Sequence, residues 1–146
     1  MRVSAKGEYA IKALLDLALC DREGLQPIQD IAAREGIPQR YLEQVLLQLK
    51  RAGFLESRRG SAGGYRLSRP PDEITVGAVL RAVEGMSASP AGGSGRPGSG
   101  ERAGDLSDLW EEISVAVSAV VDRVTVEDLR RRALERRGTR HPMYHI

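Results

Sequence analysis

The first 53 residues carry apolar side chains that recur every three or four positions, which is the period of an α-helix. Over residues 8–20 this pattern predicts a first helix, with Glu8, Lys12 and Asp16 on its solvent side. The predicted buried stripe comprises Tyr9, Ile11, Leu14, Leu15, Leu17 and Ala18. A short second helix is predicted from Pro27 to about Gly36, because proline is favoured at the first helical position.

The third predicted helix, between Pro38 and Gly53, has one apolar and one polar face. The side chains predicted to be buried are Tyr41, Leu42, Val45, Leu46 and Leu49, and the glycine ends the helix after its last turn. The outward side chains are Gln39, Arg40, Glu43 and Gln44, with Gln48 and Lys50 as further candidates. Side chains of these types hydrogen-bond base edges in the major groove of DNA, so we expect a recognition helix.

Residues 54–68 alternate apolar and polar side chains around a glycine-rich centre, which predicts two short strands joined by a loop. Glycines allow the backbone of this loop to approach a ligand closely. Arg58 and Arg59 add positive charge that suits a narrow minor groove, and Ser61 lies near the tip of the loop. A recognition helix followed by such a hairpin indicates a winged helix-turn-helix.

Beyond the hairpin, Thr75 is predicted to cap a fourth helix that ends at Gly85. Residues 85–104 contain seven glycines, a composition typical of a flexible linker. From residue 105 apolar side chains return with helical spacing over about five turns; they are Leu106, Leu109, Trp110, Ile113, Val117, Val120, Val121 and Val124. A small DNA-reading domain cannot cover so long a stripe, so we expect it to pack on the same helix of a second copy.

Thr125 and Asp128 form an approximate capping box for a last short helix that runs through about residue 137. The predicted fold is therefore mainly α with a small β-hairpin. A winged helix-turn-helix DNA-binding domain occupies residues 1–84 and a linker residues 85–104. The dimerisation helix and the short C-terminal helix occupy residues 105–137, and a tail follows at 138–146.

Charge and cysteine content narrow the class of protein. Residues 1–70 hold 12 Lys/Arg against 8 Asp/Glu, a balance that suits phosphate contacts without requiring them. The single cysteine, Cys20, excludes an intramolecular disulfide, and no apolar run approaches the roughly 20 residues of a membrane span. We expect a cytoplasmic protein that does not bind a membrane.

The sequence offers no constellation for catalysis or metal binding. It lacks a nucleophile–base pattern, a phosphate-binding loop and a paired carboxylate set, so no enzyme is predicted. His141 and His145 are four residues apart, but Pro142 between them disfavours a helix that would bring them together. We therefore expect neither a metal site nor a cofactor.

Short motifs are spread along nearly the whole chain. They include Ser4-Ala5-Lys6-Gly7, Tyr41-Leu42-Glu43-Gln44, Gly63-Gly64-Tyr65, Ile74-Thr75-Val76 and Thr125-Val126-Glu127-Asp128-Leu129. Together they resemble the Rrf2 family of bacterial winged-helix regulators. The resemblance implies a homodimeric transcription factor, usually a repressor, that binds a double-stranded DNA operator. It also implies that Arg40, Glu43 and Gln44 face base edges, that Arg59 reaches the minor groove, and that Lys6, Tyr9 and Tyr41 contact or brace the DNA backbone.

Many members of that family carry three cysteines between the fourth helix and the dimer helix, where they hold an iron–sulfur cluster. Residues 86–104 contain no cysteine, and because a cluster needs thiolate ligands, we exclude cluster sensing by this segment. Within the branch that lacks these cysteines, the chain resembles regulators of cysteine metabolism, whose partner is the enzyme cysteine synthase. The tail Met143, Tyr144, His145 and Ile146 resembles theirs, and its free carboxylate could mimic that of the enzyme's amino-acid substrate.

Two other interpretations stay open at this point. The chain could be a regulator of this family that responds to redox change, with Cys20 as the candidate thiol, or to another small ligand. It could also be a protein-interaction adapter that does not bind DNA. The exposed polar face of the third helix and the two arginines of the wing count against the adapter.

Overall fold

A computed structural model describes residues 4–84 and 101–140, without the side chains of residues 22, 101–105, 139 and 140. The helices are α1 (Ala5–Leu19), α2 (Ile28–Glu35), α3 (Gln39–Arg51), α4 (Val76–Glu84), α5 (Glu101–Val121) and α6 (Val126–Arg140). The strands β1 (Leu55–Arg58) and β2 (Gly64–Leu67) form an antiparallel pair, and single 3₁₀ turns occupy Asp21–Glu23 and Pro71–Glu73. The predicted mainly α fold with a small β-hairpin is confirmed.

Helix α1 lies at the centre of the fold and packs against α2, α3, α4 and α6. Leu14, Ile31, Leu46 and Ile74 are fully buried there. Val126, the first residue of α6, joins the same cluster and is 1% exposed. Each such aliphatic side chain stabilises the fold by about 1.5–3 kcal/mol. The core is therefore built from residues on both sides of segment 85–100.

The first residues of α1, α2 and α3 are set by capping residues, and the apolar pattern predicted these starts less accurately than the helices themselves. Ser4 caps α1, since its Oγ accepts a hydrogen bond from the Gly7 N–H at 3.1 Å. The helix consequently begins at Ala5, three residues before the predicted start. Pro27 and Pro38 are the N-cap residues of α2 and α3 rather than their first helical residues.

Three side chains lie differently from the prediction. Asp16 is 4% exposed and does not lie on a solvent face. Its burial is tolerated because Arg34 neutralises its charge and donates a hydrogen bond to each of its two carboxylate oxygens. Tyr41 is 37% exposed rather than buried, because it lies at the border of the apolar stripe against Tyr9. Gln48 is half-buried, and its Oε1 is buried without a hydrogen-bond partner among the described residues.

The last two helices have other bounds than predicted. Helix α5 begins at Glu101, so residues 101–104 are helical, whereas the linker was predicted to continue through 104. It ends at Val121, so Val124 lies beyond the helix that was predicted to contain it. One interior glycine, Gly104, costs a helix only about 1 kcal/mol, which the rest of the helix outweighs. Helix α6 continues to Arg140, beyond the predicted end near 137. Residues 85–100, the remainder of the predicted linker, and the tail from 141 lie outside the described residues.

No helix in the described ranges 4–84 and 101–140 has both the length and the apolar character needed to cross a membrane.

Candidate nucleic-acid interface

The polar face of α3 is open to solvent. Gln39, Arg40, Glu43 and Gln44 are all exposed, while the opposite face, made by Leu42, Val45, Leu46 and Leu49, is completely buried. Residues spaced three and four apart lie beside one another on a helix, so Arg40, Glu43 and Gln44 form one contiguous polar surface. This surface combines donors and acceptors of the kind that read base edges.

A contact between two tyrosine rings joins α3 to the first half of α1. The rings of Tyr9 and Tyr41 meet edge to face, with centroids 5.3 Å apart and planes at 79°, a geometry that stabilises aromatic pairs. Lys6 lies one turn before Tyr9 on α1 and is half-exposed. The structure therefore brings Lys6, Tyr9 and Tyr41 to the same side of the molecule as the amino-terminal end of α3.

The wing consists of β1, β2 and the loop between them. Its strands pair from Leu55 opposite Leu67 to Arg58 opposite Gly64. Arg58, Arg59 and Ser61 are exposed on or next to the loop. No described residue forms a hydrogen bond or an ion pair with either arginine side chain, so both guanidinium groups are available to an anion.

A groove of about 590 Å³ separates the wing from the start of α2. Its walls include Gln29, Lys50, Arg58, Arg59 and Ser61. Lys50 was a further candidate in the sequence, whereas Gln29 was not a candidate, because it lies on the eight-residue helix α2 and not on α3 or the wing. Only the folded hairpin brings Gln29 beside the wing arginines.

The wing is anchored to the connection between α1 and α2. The Gln26 N–H donates to the Tyr65 carbonyl at 2.9 Å, and the Tyr65 N–H donates to the Gln26 carbonyl at 2.8 Å. Gly64 makes this approach possible, because a Cβ there would lie 2.5 Å from both the carbonyl carbon and oxygen of Gln26. Its φ of +151° is also one that side chains other than glycine rarely adopt.

A part-buried network of hydrogen bonds between Arg34, Asp16 and Gln26 supports the same anchor. Arg34 on α2 donates to both carboxylate oxygens of Asp16 on α1 at 2.8 Å, and its Nη2 also donates to Gln26 Oε1 at 2.9 Å. The Asp16 side chain is only 5% exposed, and its hydrogen bonds raise the pKa of Arg34 further above its ordinary value. The network thus connects α1, α2 and the anchor of the wing.

Cys20 follows the last residue of α1 and is half-buried. Burial, and next the negative charge of Asp16, raise the pKa of its thiol. A raised pKa keeps the group as a thiol near neutral pH, whereas reactive and metal-binding cysteines are thiolates. The surroundings of Cys20 therefore disfavour both reactivity and metal binding.

The apolar stripe of α5 remains largely uncovered in the single chain. Leu106, Leu109, Trp110 and Val120 are between 39% and 49% exposed, and Ile113, Val117 and Val121 are half-buried. Val124 is also half-buried but lies beyond the end of α5. At about 100° per residue, Asp122 lies about 160° around the helix axis from Leu106. Because Asp122 contacts Arg81 of α4, the stripe faces away from the chain's own α4.

The predicted tail residues Met143, Tyr144, His145 and Ile146 lie outside the described residues. Within the described ranges, His, Cys, Asp and Glu side chains form no cluster of three or more that could hold a metal ion.

The chain resembles characterised proteins along most of its length. A family described as "Rrf2: Iron-dependent Transcriptional regulator" matches residues 3–132. The HTH-type transcriptional regulator IscR of Aliivibrio salmonicida is 41% identical over 130 residues, which cover 88% of this chain and 77% of that protein. The structure of CymR, the global cysteine regulator of B. subtilis, superposes with a TM-score of 0.74 at 35% identity, covering 89% of this chain and 96% of that one. T. potens IscR superposes with a TM-score of 0.73 at 32% identity, covering 91% and 88%.

Proposed function

This chain belongs to the Rrf2 family of transcriptional regulators, and from that premise we propose that it is a homodimeric, sequence-specific DNA-binding repressor. The predicted winged-helix regulator is confirmed. Its relatives are transcriptional regulators, which agrees with the prediction that the chain is not an enzyme. The proposal also covers four further points: the DNA-contacting residues, the dimer, the direction of regulation and a cytoplasmic location.

The observation that carries the proposal is the exposed polar face of α3 beside an exposed, arginine-bearing wing. In this proposal α3 enters the major groove, where Arg40, Glu43 and Gln44 contact base edges and Gln39 assists. Glu43 is suited to accept a hydrogen bond from cytosine N4.

The remaining DNA contacts are proposed to hold the protein in register. Arg59 enters the adjacent minor groove, and Arg58 and Ser61 contact the neighbouring backbone. Lys6, Tyr9 and Tyr41 meet phosphates on the other side of α3. Contacts to phosphate position a protein on DNA without reading its sequence.

Dimerisation through α5 is supported by the orientation of its apolar stripe. Exposed apolar surface of this extent marks an interaction site, and the stripe faces away from α4. A second copy offers the same apolar face, as two-fold dimers require. The proposed interface comprises Leu106, Leu109, Trp110, Ile113, Val117, Val120, Val121 and Val124.

The family description names iron, but the donor set of this chain does not fit an iron–sulfur cluster. The entire sequence contains one cysteine, and Cys20 sits at the end of α1 with its thiol pKa raised by burial and by Asp16. Such clusters are held mainly by several cysteine thiolates. We therefore propose that this regulator senses something other than a cluster bound to its own chain.

Cysteine metabolism is the regulated process that we propose, with cysteine synthase as the partner. Two observations support it: the structural similarity to a protein described as a global cysteine regulator, and the absence of cysteines where a cluster would bind. The C-terminal residues 143–146 are the proposed docking segment. The sequence similarity to IscR proteins favours the alternative, a regulator that responds to redox change or to another ligand, although the raised pKa of Cys20 counts against a redox role for that thiol.

DNA binding is tested by selecting bound duplexes from a random-sequence library and measuring affinity by fluorescence anisotropy. Arg59→Ala should weaken binding by about 1–3 kcal/mol, and Glu43→Ala should relax preference at one base pair. The matched controls are Arg123→Ala and Glu73→Ala, which remove the same charges at exposed positions away from α3 and the wing. Failure of the wild-type chain to enrich any sequence would refute the DNA-binding function and revive the adapter interpretation.

The partner is tested by calorimetric titration with cysteine synthase from the same organism. Binding should disappear when Ile146 is removed and should weaken when O-acetylserine, the substrate of the enzyme, is present. An intact chain that binds DNA but not cysteine synthase would refute the proposed partner and leave the DNA-binding function in place.

A further inference from the structure

Two of the short sequence motifs, Ile74-Thr75-Val76 and Thr125-Val126-Glu127-Asp128-Leu129, meet in the folded chain. Thr75, in the first motif, and Thr125, in the second, pair as an isolated antiparallel bridge. The Val76 N–H donates to the Val124 carbonyl at 2.9 Å, and the Val126 N–H donates to the Ile74 carbonyl at 2.8 Å. The bridge joins the start of α4, in the DNA-reading half, to the turn between α5 and α6.

Both threonines also cap the helices that leave this bridge. The Ala78 N–H donates to Thr75 Oγ1 at 3.1 Å. The Asp128 N–H donates to Thr125 Oγ1 at 3.1 Å, while Asp128 Oδ2 accepts from the Thr125 N–H at 3.0 Å. The side chain of each threonine therefore caps a helix, and the backbone of the residues next to it forms the hydrogen bonds of the bridge. These bonds leave the turn between α5 and α6 little freedom to rotate relative to α4.

A side-chain contact reinforces the bridge from the carboxyl end of α5. Arg81 Nη2 lies 2.7 Å from the Asp122 carboxylate oxygens, and this hydrogen bond lowers the pKa of Asp122. Gly77 leaves the space that the carboxylate occupies, since a Cβ there would lie 2.0 Å from Asp122 Oδ1. Both charged side chains are more than 40% exposed, and exposed pairs add little stability, so the contact matters for geometry.

We propose that this junction fixes the angle between α5 and the recognition helix, and that Val76, Gly77, Arg81 and Asp122 are positioning residues that set which half-site spacing the dimer accepts. The inference rests on the proposed homodimer. In a symmetric dimer built on α5, the path from the interface to α3 passes through this junction and then through α4 and through α6, which both pack on α1. Inserting one base pair rotates one half-site by about 35° and moves it by about 3.4 Å, so only a rigid junction rejects the altered spacing.

The test uses the half-site selected by the wild-type full-length chain, built into duplexes with the natural spacing or with one or two base pairs added or removed. Loss of simultaneous engagement costs on the order of 10²-fold in affinity, so the wild-type chain should show a sharp optimum. The double variant Val76→Pro/Arg81→Gln removes one bridge hydrogen bond and the positive charge that pairs with Asp122. Proline is tolerated because Val76 is the first residue of α4.

The double variant should remain dimeric by analytical ultracentrifugation and should bind a single half-site like wild type, but its penalty for altered spacing should fall to about tenfold or less. The matched control Val76→Ala/Arg123→Gln loses the same valine side chain and an equal charge, keeps the bridge, and should retain the sharp optimum. Arg81→Glu places like charges at the junction and should flatten the optimum as well, with Asp122→Arg added to Arg81→Glu restoring it. If the proline variant does not fold, Arg81→Glu and the charge-swapped pair with Asp122→Arg still test whether the junction sets the accepted spacing.

A spacing profile as sharp in Arg81→Glu as in wild type would overturn the inference, and so would a wild-type dimer that binds all spacings equally. A wild-type chain that neither dimerises nor binds the selected DNA would instead refute the proposed function, and the two failures are thereby distinguished.

Discussion

Replacing Gly64 with alanine tests whether the wing depends on its close approach to the connection between α1 and α2. The new Cβ would lie 2.5 Å from the Gln26 carbonyl carbon and oxygen and 2.8 Å from the Pro27 nitrogen. All three are backbone atoms, so no side-chain rotation relieves the collision. The chain must either strain its backbone or separate the strand from Gln26.

The expected loss in the free energy of unfolding can be estimated for each of these two alternatives. Separation loses the two hydrogen bonds between Gln26 and Tyr65, at 2.9 and 2.8 Å, which contribute about 0.5–1.5 kcal/mol each. Keeping the contact stores backbone strain of about 1–3 kcal/mol. Either route predicts that Gly64→Ala lowers the free energy of unfolding by about 2 kcal/mol. The wing should also move, so DNA affinity should fall together with stability.

Urea unfolding followed by circular dichroism measures the loss, with Gly60→Ala as the matched control. Gly60 also has a positive φ, +109°, but a Cβ there has no atom within 4 Å, so its replacement costs backbone strain alone. Gly64→Ala should therefore lower the free energy of unfolding more than Gly60→Ala does. Equal stability losses in the two variants would refute the argument that the contact with Gln26 holds the wing.

Three further predictions concern α1 and its neighbours. Asp16→Asn removes the charge that holds Arg34 and should lower the free energy of unfolding by about 1–3 kcal/mol, measured by urea titration; unchanged stability would contradict the network. Burial, and next Asp16, raise the pKa of Glu35, so its favourable contribution is present below its unfolded pKa and lost as pH rises through the folded one. Glu35→Gln should consequently raise Tm at pH 7 more than near pH 4, and an equal effect at both would be inconsistent with a raised pKa. Because the Cys20 thiol pKa is raised, wild type and Cys20→Ser should keep the same DNA affinity after mild peroxide; a loss confined to wild type would establish a redox-sensitive thiol.

The sequence predicted the elements whose signal is local. The stripe from Leu42 to Leu49 identified α3 and its buried face, and the alternation around the glycines identified the wing. Burial that depends on a distant partner was not predictable in this way, since Asp16 is buried only because Arg34, 18 residues away, reaches it. For the same reason, the capping roles of Thr75 and Thr125 could be read from their neighbours, but their pairing with each other could not.

The position of Val126 in the core has a consequence for dissecting the protein into fragments. This side chain, 1% exposed in the cluster that contains Ile74, follows α5 in the chain and yet completes the core formed by α1 to α4. A fragment that ends at residue 84 would leave a hole lined by apolar atoms and lose about 2 kcal/mol of burial from this valine alone. We therefore expect a fragment that ends at residue 84 to be less stable than the full chain: a truncation series should show full stability only when the chain extends through α6, and adding a peptide that spans α6 should restore part of the missing stability.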